Sequence, residues 1–239
     1  MKKKVVLIIQ ARMGSTRLPG KSMMFLGNKT IVGRILERVK QCKKLNDIVL
    51  AIPDSSENDI LVQEANQEGI KIFRGNEQDC LDRYYRAALQ FGAEIVGRLP
   101  ADNPVPDAVE IDRVAEHHRN LSARGFSTNL AEALKSGYPD GLGAEMFDFA
   151  LLKEVWEKNK EPEKREHVHL NFFDYKTGNP VDSKWCPITT PECPEYLRDT
   201  KLTLDINTPD DFDKFKKMFD HFGNHNPSTS DILNWFKVK

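Results

Sequence analysis

The sequence predicts an α/β protein with a mixed, mostly parallel sheet flanked by helices. An apolar run at residues 5–9 has the length and composition of a strand buried on both faces. Short apolar runs then alternate with amphipathic helical patterns over about the first hundred residues. Because parallel strands need crossover helices, this alternation favours a parallel sheet with right-handed connections.

The elements follow one another at short intervals. After the first strand, helices are predicted over residues 29–44, 56–68, 77–91, 107–121 and 148–158, and strands over 47–52, 70–73, 94–99 and 202–204. Thr208 and Pro209 are typical of a helix N-cap and first helical position, and a last short helix starts at Asp231. The rhythm changes after residue 125, where a glycine-dense loop covers residues 137–145. We therefore expect a single domain over residues 1–239, with a small acceptor-binding or dimerisation insertion at about 130–200.

Composition limits the classes of partner. The chain has 239 residues, of which 39% are hydrophobic and 30% charged, and its formal net charge is −1. Such a balance argues against a general nucleic-acid or membrane surface. No apolar run reaches the length of a membrane span, and the four cysteines contain no CxxC pair. We expect a cytoplasmic protein with reduced thiols.

A cationic loop directly follows the first strand. Residues 10–22 contain Arg12, Arg17 and Lys21, together with Gly14 and Gly20. In open α/β sheets, ligands bind at the carboxyl ends of the strands. Three cations on a loop at that edge, beside glycines that allow close backbone approach, predict a polyanionic ligand, most simply a triphosphate.

The ending of this loop invites comparison with the phosphate-binding P-loop. That motif has four residues between its glycines, whereas Gly14 and Gly20 enclose five, and Ser15 stands where the first glycine would be. A P-loop kinase or NTPase is therefore disfavoured. The plain structural alternative is a basic surface turn after a strand.

The loop carries a more specific pattern, Arg12-x-x-Ser15-x-Arg17-x-Pro19-x-Lys21. It resembles the signature loop of the CMP-sugar synthetases, the cytidylyltransferases that activate 3-deoxy-manno-octulosonate and the sialic acids. The longer run at residues 9–21 is similar to the spore-coat polysaccharide biosynthesis protein F group within that superfamily. The resemblance implies a Rossmann-like nucleotide-diphospho-sugar transferase fold. It also implies Mg²⁺-dependent transfer of CMP from CTP to an acidic sugar or related acid, with release of pyrophosphate, in surface glycan biosynthesis.

The same resemblance implies roles for individual residues of the loop. Arg12, Arg17 and Lys21 are expected to be catalytic, stabilising charge on the phosphates and on the leaving pyrophosphate. The nucleotide-binding residues it implies are Gln10, Ala11, Arg12, Gly14, Ser15, Arg17, Lys21 and Asp102. Gln10 and Ala11 are expected to line the base pocket through backbone atoms.

Two aspartates are candidate metal ligands. Asp102 lies in a proline-bracketed turn after the strand at 94–99, where the alternative is an Asx-turn or helix-capping loop. The Thr208 helix start accounts for the acids after it but leaves Asp205 unexplained. The resemblance implies that Asp102 and Asp205 bind Mg²⁺. If each follows a strand of one sheet, the two carboxylates should meet near Lys21.

Two later segments resemble the spore-coat F group, a Tyr-Pro-Asp-Gly-Leu run at residues 138–142 and an Arg-Glu-His-Val run at 165–168. They imply the acceptor-binding residues Tyr138, Asp140, Glu145 and His167. Gly143 departs from the pattern, because relatives usually carry an aspartate there. This departure leaves the identity of the acceptor open.

Other functions stay open at this stage. One is nucleotidyl transfer with another NTP or to a sugar phosphate, and another is a catalytically silent nucleotide-binding protein of a glycan operon. The expected partners are CTP and a small acidic acceptor, and a homodimer is possible.

Overall fold

A computed structural model describes residues 2–15, 17–129, 135–174, 177–182, 186–223 and 225–237. Seven strands of the described residues form one sheet in the order β5-β4-β1-β6-β8-β7-β9, and β2 and β3 form a separate hairpin. The strands are β1 (Val5–Gln10), β2 (Phe25–Leu26), β3 (Lys29–Thr30), β4 (Asp47–Pro53), β5 (Lys71–Gly75), β6 (Ile95–Pro100), β7 (Phe126–Ser127), β8 (Glu145–Asp148) and β9 (Ile188–Thr189).

The centre of the sheet is parallel and one side is mixed. β1 pairs in parallel with β4 and with β6, and β5 extends the parallel set beyond β4. β8 runs antiparallel to β6 and to β7, and in its register Arg98 is the partner of Glu145. The predicted mixed, mostly parallel sheet is confirmed.

Helices cover both faces of the sheet. They are α1 (Ile31–Val39), α2 (Asp59–Glu68), α3 (Cys80–Gln90), α4 (Ala108–Arg119), α5 (Phe149–Lys158), α6 (Pro162–Glu166), α7 (Pro209–Phe222) and α8 (Thr229–Lys237). β1 supplies both cores, because alternate side chains of a strand point to opposite faces. Val5, Leu7 and Ile9 pack with α1, α4 and α7, whereas Val6 and Ile8 pack with α3 and α5. A strand buried on both faces fixes the position of the loop that follows it.

Side chains fix the starts of the helices near the site. Asp107 caps α4, its carboxylate accepting from the backbone N–H groups of Val109 and Glu110. Thr208 and Asp211 form a reciprocal capping box at the start of α7, with Pro209 in the first turn. In both caps, side-chain oxygens accept hydrogen bonds from first-turn N–H groups that have no partner within the helix.

In the second half of the chain, the observed secondary structure differs from the predicted one. Glu145 to Asp148, predicted as loop and helix start, form β8, in which the buried Met146 and Phe147 pair with β6 and complete the sheet. Residues 202–204 do not form a strand of the sheet, and Thr203 makes only an isolated bridge with Asp140. Ile188 and Thr189, which the sequence analysis assigned to no element, form β9.

No helix within the described ranges is long and apolar enough to cross a membrane.

Candidate active site

The loop after β1 is held by hydrogen bonds within the protein. The backbone N–H of Met13 donates to Oδ1 of Asn58 at 2.9 Å, and Asn58 is fully buried. The N–H groups of Ser15 and Gly20 donate to the carbonyl of Met13, at 2.8 and 3.4 Å. The N–H of Lys21 donates to the carbonyl of Leu18 at 3.1 Å. These four N–H groups are engaged within the protein, and they fix the path of the loop.

The first residues after the strand continue its pairing. The N–H of Ala11 donates to the carbonyl of Ala51 at 3.3 Å, and the carbonyl of Gln10 accepts from Ala101 at 3.0 Å. The thiol of Cys80 lies 3.5 Å from Oε1 of Gln10. Gln10 and Ala11 are therefore fixed at the sheet edge.

The three cations of the loop have different surroundings. Lys21 is half-buried and its Nζ donates to the carbonyl of Ile206 at 2.7 Å. Arg12 forms an exposed ion pair with Glu166 at 2.8 Å. Arg17 is exposed. Lys21 is thus held toward the 205–207 segment, while both arginines remain at the surface.

The turn after β6 uses Asn103, not Asp102, for its local structure. Oδ1 of Asn103 accepts from the N–H of Val105 at 2.9 Å, and its Nδ2 donates to the carbonyl of Gly141. Asp107 caps the helix that follows. Oδ1 of Asp102 is buried and has no hydrogen-bond partner among the described residues. The turn-forming and capping roles considered for Asp102 are therefore filled by its neighbours.

Asp205 reaches the same place without a sheet strand. The N–H of Asp140 donates to the carbonyl of Leu202 at 2.9 Å, and the N–H of Leu204 donates back to the carbonyl of Asp140 at 3.1 Å. One residue beyond Asp205, the N–H of Ile206 donates to the carbonyl of Asp102 at 2.8 Å. Asp102 and Asp205 therefore lie close together, as expected. Asp205 is positioned by the extended segment 202–204, which pairs with Asp140 and is not a strand of the sheet.

The electrostatics of this cluster show an excess of negative charge. Burial, together with the carboxylates of Asp102 and Asp140, raises the pKa of Asp205 to about 8, while Lys21 opposes the shift. Burial lowers the pKa of Lys21, which Asp102 and Asp205 partly offset. A buried carboxylate beside two others favours protonation or a bound cation.

These residues fit a hard divalent cation. Such an ion prefers oxygen ligands, and Mg²⁺ usually combines one or two carboxylates with substrate phosphates and waters. The unpartnered oxygen of Asp102 and the raised pKa of Asp205 are both features that a cation would relieve. Within the described ranges, no group of three or more His, Cys, Asp or Glu side chains forms a metal site by itself.

A cavity of about 250 Å³ opens beside the carboxylates, between β6, β8 and the 140–143 turn. Its lining includes Arg98, Asn129, Asp140, Glu145, His169 and Asp205. Arg98 and Glu145 form a buried ion pair at 2.8 Å. Burial lowers the pKa of His169 to about 2, and Arg98 adds to the effect, so this imidazole is neutral. Among the charged side chains of the lining, acids outnumber the single arginine.

The predicted acceptor residues divide into two groups. Asp140 and Glu145 line the cavity. Tyr138 does not, because its ring is fully buried in the core and its hydroxyl donates to the carbonyl of Glu192 at 3.1 Å. His167 is exposed and lies outside the cavity lining.

The Arg-Glu-His-Val run positions neighbouring elements. Arg165 binds both carboxylate oxygens of Asp79 and the carbonyl of Trp156, joining α6 to α3 and α5. The next residue, Glu166, pairs with Arg12. This run therefore connects the helical layer to the cationic loop.

Sequence reasoning did not select Arg98, Asn129 or Asn58. Arg98 had a usable signal, since a charge inside an apolar strand must find a buried partner. Asn58 had none, because its partner Met13 is 45 residues away in sequence, and Asn129 had none, because the cavity it lines forms only in the fold. Only the fold brings Asn58 to the loop and Asn129 to the cavity.

The fold and the loop define a nucleotidyltransferase, and comparison with known proteins gives its family. Residues 6–217 match the family described as cytidylyltransferase. The chain belongs to the cytidylyltransferase family, and the predicted nucleotidyltransferase activity is confirmed at that level.

The chain is similar to other proteins over most of its length. It is 29% identical over 224 residues to the spore coat polysaccharide biosynthesis protein SpsF of Bacillus subtilis, covering 92% of this chain and 88% of that protein. A cytidylyltransferase structure from Leptospira borgpetersenii superposes with a TM-score of 0.81 and 27% identity, covering 99% of this chain and 93% of that one.

A more distant likeness concerns the fold alone. The structure of CMP:2-keto-3-deoxy-manno-octonic acid synthetase complexed with CTP superposes with a TM-score of 0.67 at 18% identity, covering 92% of this chain and 99% of that one. The expected Rossmann-like fold and the resemblance to the spore-coat F group are confirmed. The domain organisation, the homodimer, the cytoplasmic location and the roles of single residues stay predictions.

Proposed function

We propose that this protein transfers CMP from CTP to a small acidic acceptor, such as a sugar acid, and releases pyrophosphate. The observation that carries the proposal is the meeting of Lys21 with Asp102 and Asp205 at the carboxyl edge of the sheet. Lys21 supplies a cation for phosphate, and Asp102 and Asp205 supply oxygen ligands for a metal.

The cationic loop binds the triphosphate. Lys21 is anchored at the sheet edge, and the exposed guanidinium groups of Arg12 and Arg17 are free to fold over the β- and γ-phosphates once Arg12 leaves Glu166. Fixed cations lower the barrier most where charge develops on the leaving pyrophosphate.

Asp102 and Asp205 are the residues that would hold Mg²⁺. Such an ion would neutralise phosphate charge and polarise the phosphoryl group that is transferred. The carboxylates keep their position because Ile206 is hydrogen-bonded to the Asp102 carbonyl and Lys21 to the Ile206 carbonyl. These two contacts join Asp102, Ile206 and Lys21, which come from three different segments of the chain.

The acceptor occupies the cavity beside the carboxylates. Its oxygen attacks the α-phosphorus in line, so that the new O–P bond forms as the bond to the pyrophosphate oxygen breaks. The pyrophosphate leaves with the electron pair of that bond, and the proton of the acceptor hydroxyl passes to water. The protein supplies orientation and charge, with no covalent intermediate on a side chain.

The proposal is tested by measuring pyrophosphate release from CTP, UTP, GTP and ATP with a panel of acidic sugars, with and without Mg²⁺. We expect release to need CTP, an acid acceptor and Mg²⁺ together. Asp102→Asn should remove Mg²⁺-dependent turnover, while Asp199→Asn, a change outside the cluster, serves as control.

The alternatives give different results in the same assay. A preference for another base, or for a sugar phosphate, points to a different nucleotidyl transfer. Full activity in Asp102→Asn refutes the metal site, since asparagine serves a turn equally well. CTP binding by calorimetry without any release points to a silent nucleotide-binding protein.

A further inference from the structure

Asn129 lies in the cavity that the proposed function assigns to the acceptor. It comes two residues after β7. The N–H of the preceding Thr128 donates to the carbonyl of Thr189 at 3.0 Å, which fixes the backbone just before Asn129. The side chain is 96% buried, with an exposed fraction of 4%. Its Nδ2 has no hydrogen-bond partner among the described residues.

Leaving a buried amide donor unpaired opposes folding, and native proteins rarely do so without a reason. Two other groups of the cavity lining are engaged within the protein: Arg98 is paired with Glu145, and Nδ2 of Asn103 donates to the carbonyl of Gly141. Nδ2 of Asn129 is a buried donor of this cavity that a ligand oxygen would satisfy.

Gly143 makes room for this side chain. A Cβ placed on Gly143 would overlap the carboxamide of Asn129. Gly143 is not among the glycines with positive φ, so the backbone conformation does not itself demand glycine. The absence of a side chain at 143 thus serves the close approach of Asn129, and the two positions act as a pair.

We propose that Asn129 is a specificity-determining residue that donates a hydrogen bond to an oxygen of the acceptor, with Gly143 providing the space for its carboxamide. The inference rests on the proposed function of the cavity. It selects an acceptor that presents a carboxylate or hydroxyl oxygen at this point. An acceptor with an ammonium group at this point would be disfavoured, because both the ammonium group and Nδ2 of Asn129 are hydrogen-bond donors.

Substitutions at both positions test the pair. Asn129→Ala removes the donor, Asn129→Asp replaces it with a carboxylate of the same shape, and Gly143→Ala displaces it. Asn120→Ala, an exposed asparagine after α4, is the control. The assay measures pyrophosphate release with Mg²⁺ and CTP, using 3-deoxy-manno-octulosonate and N-acetylneuraminate as probe acceptors, and melting of each variant confirms its fold.

We expect KM for the active probe acceptor to rise roughly tenfold to a hundredfold in Asn129→Ala and Gly143→Ala, the range for losing a hydrogen bond to a charged group. Asn129→Asp should raise it further, because a fourth acid at the cavity repels an anionic acceptor. KM for CTP should change by less than about twofold in the folded variants, as Asn129 touches only the acceptor side.

Failure of this inference differs from failure of the proposed function. If neither probe supports release by the wild type, the proposed function with these acids fails and the inference falls with it. If the wild type is active and Asn129→Ala and Asn129→Asp keep the acceptor KM of the control, Asn129 does not read the acceptor. Equal increases in both KM values would assign Asn129 a structural role instead.

Discussion

Replacing Asp205 with asparagine should stabilise the protein at alkaline pH in the absence of metal and nucleotide. Burial together with Asp102 and Asp140 raises the pKa of this carboxyl from an ordinary 3.8 to about 8. Between these values the folded state keeps a proton that the unfolded chain has released. Stability is therefore lost as pH rises from about 4 to about 8.

The size of the effect follows from the shift. Each pH unit corresponds to about 1.4 kcal/mol, so the charged carboxylate opposes folding by on the order of a few kcal/mol at pH 8. Asp205→Asn removes that charge at nearly constant shape. The variant should match the wild type near pH 4 and exceed its stability at pH 8.

The assay is urea unfolding from pH 4 to pH 8.5 with EDTA present, on the wild type, Asp205→Asn and the control Asp213→Asn. Asp213 is an exposed acid of α7. The variant's urea midpoint should exceed that of the wild type by on the order of 1 M at the alkaline end. Mg²⁺ with CTP should restore the wild type but stabilise Asp205→Asn much less. Parallel pH curves for wild type and Asp205→Asn would refute the clustering of buried carboxylates.

Two further predictions concern the cationic loop. Lys21→Ala should lower kcat by about a hundredfold or more because it removes a charge aimed at the phosphates, and a turnover equal to that of the surface control Lys201→Ala would contradict the phosphate assignment. Asn58→Ala should raise KM for CTP by roughly tenfold and lower the melting temperature, because Met13 loses its buried partner. Asn58→Asp keeps the acceptor oxygen for the Met13 N–H, so calorimetry should show CTP binding closer to the wild type; identical losses in both variants would contradict the loop-holding role.

The local pattern predicted the elements whose causes are local. The apolar run of β1 needed no distant partner to indicate a buried strand, and Thr208 with Pro209 marked the start of α7 correctly. Strand and helix periodicity, helix caps and loop spacing are properties of neighbouring residues, so the parallel half of the sheet was predictable. β8 was missed because its pairing with β6 joins residues about fifty positions apart.

The residues of the site also fall into those that the sequence indicated and those that only the structure showed. The sequence by itself determined the cationic loop and the two candidate aspartates, since their residue types and spacing carry the family pattern. Only the tertiary structure decided that Asn103 forms the turn beside Asp102, that Asp140 holds the segment of Asp205, and that Asn129 takes the space above Gly143. The physical reason is that burial, charge repulsion and close packing depend on atoms brought together across the whole chain, and a linear sequence does not specify those distances.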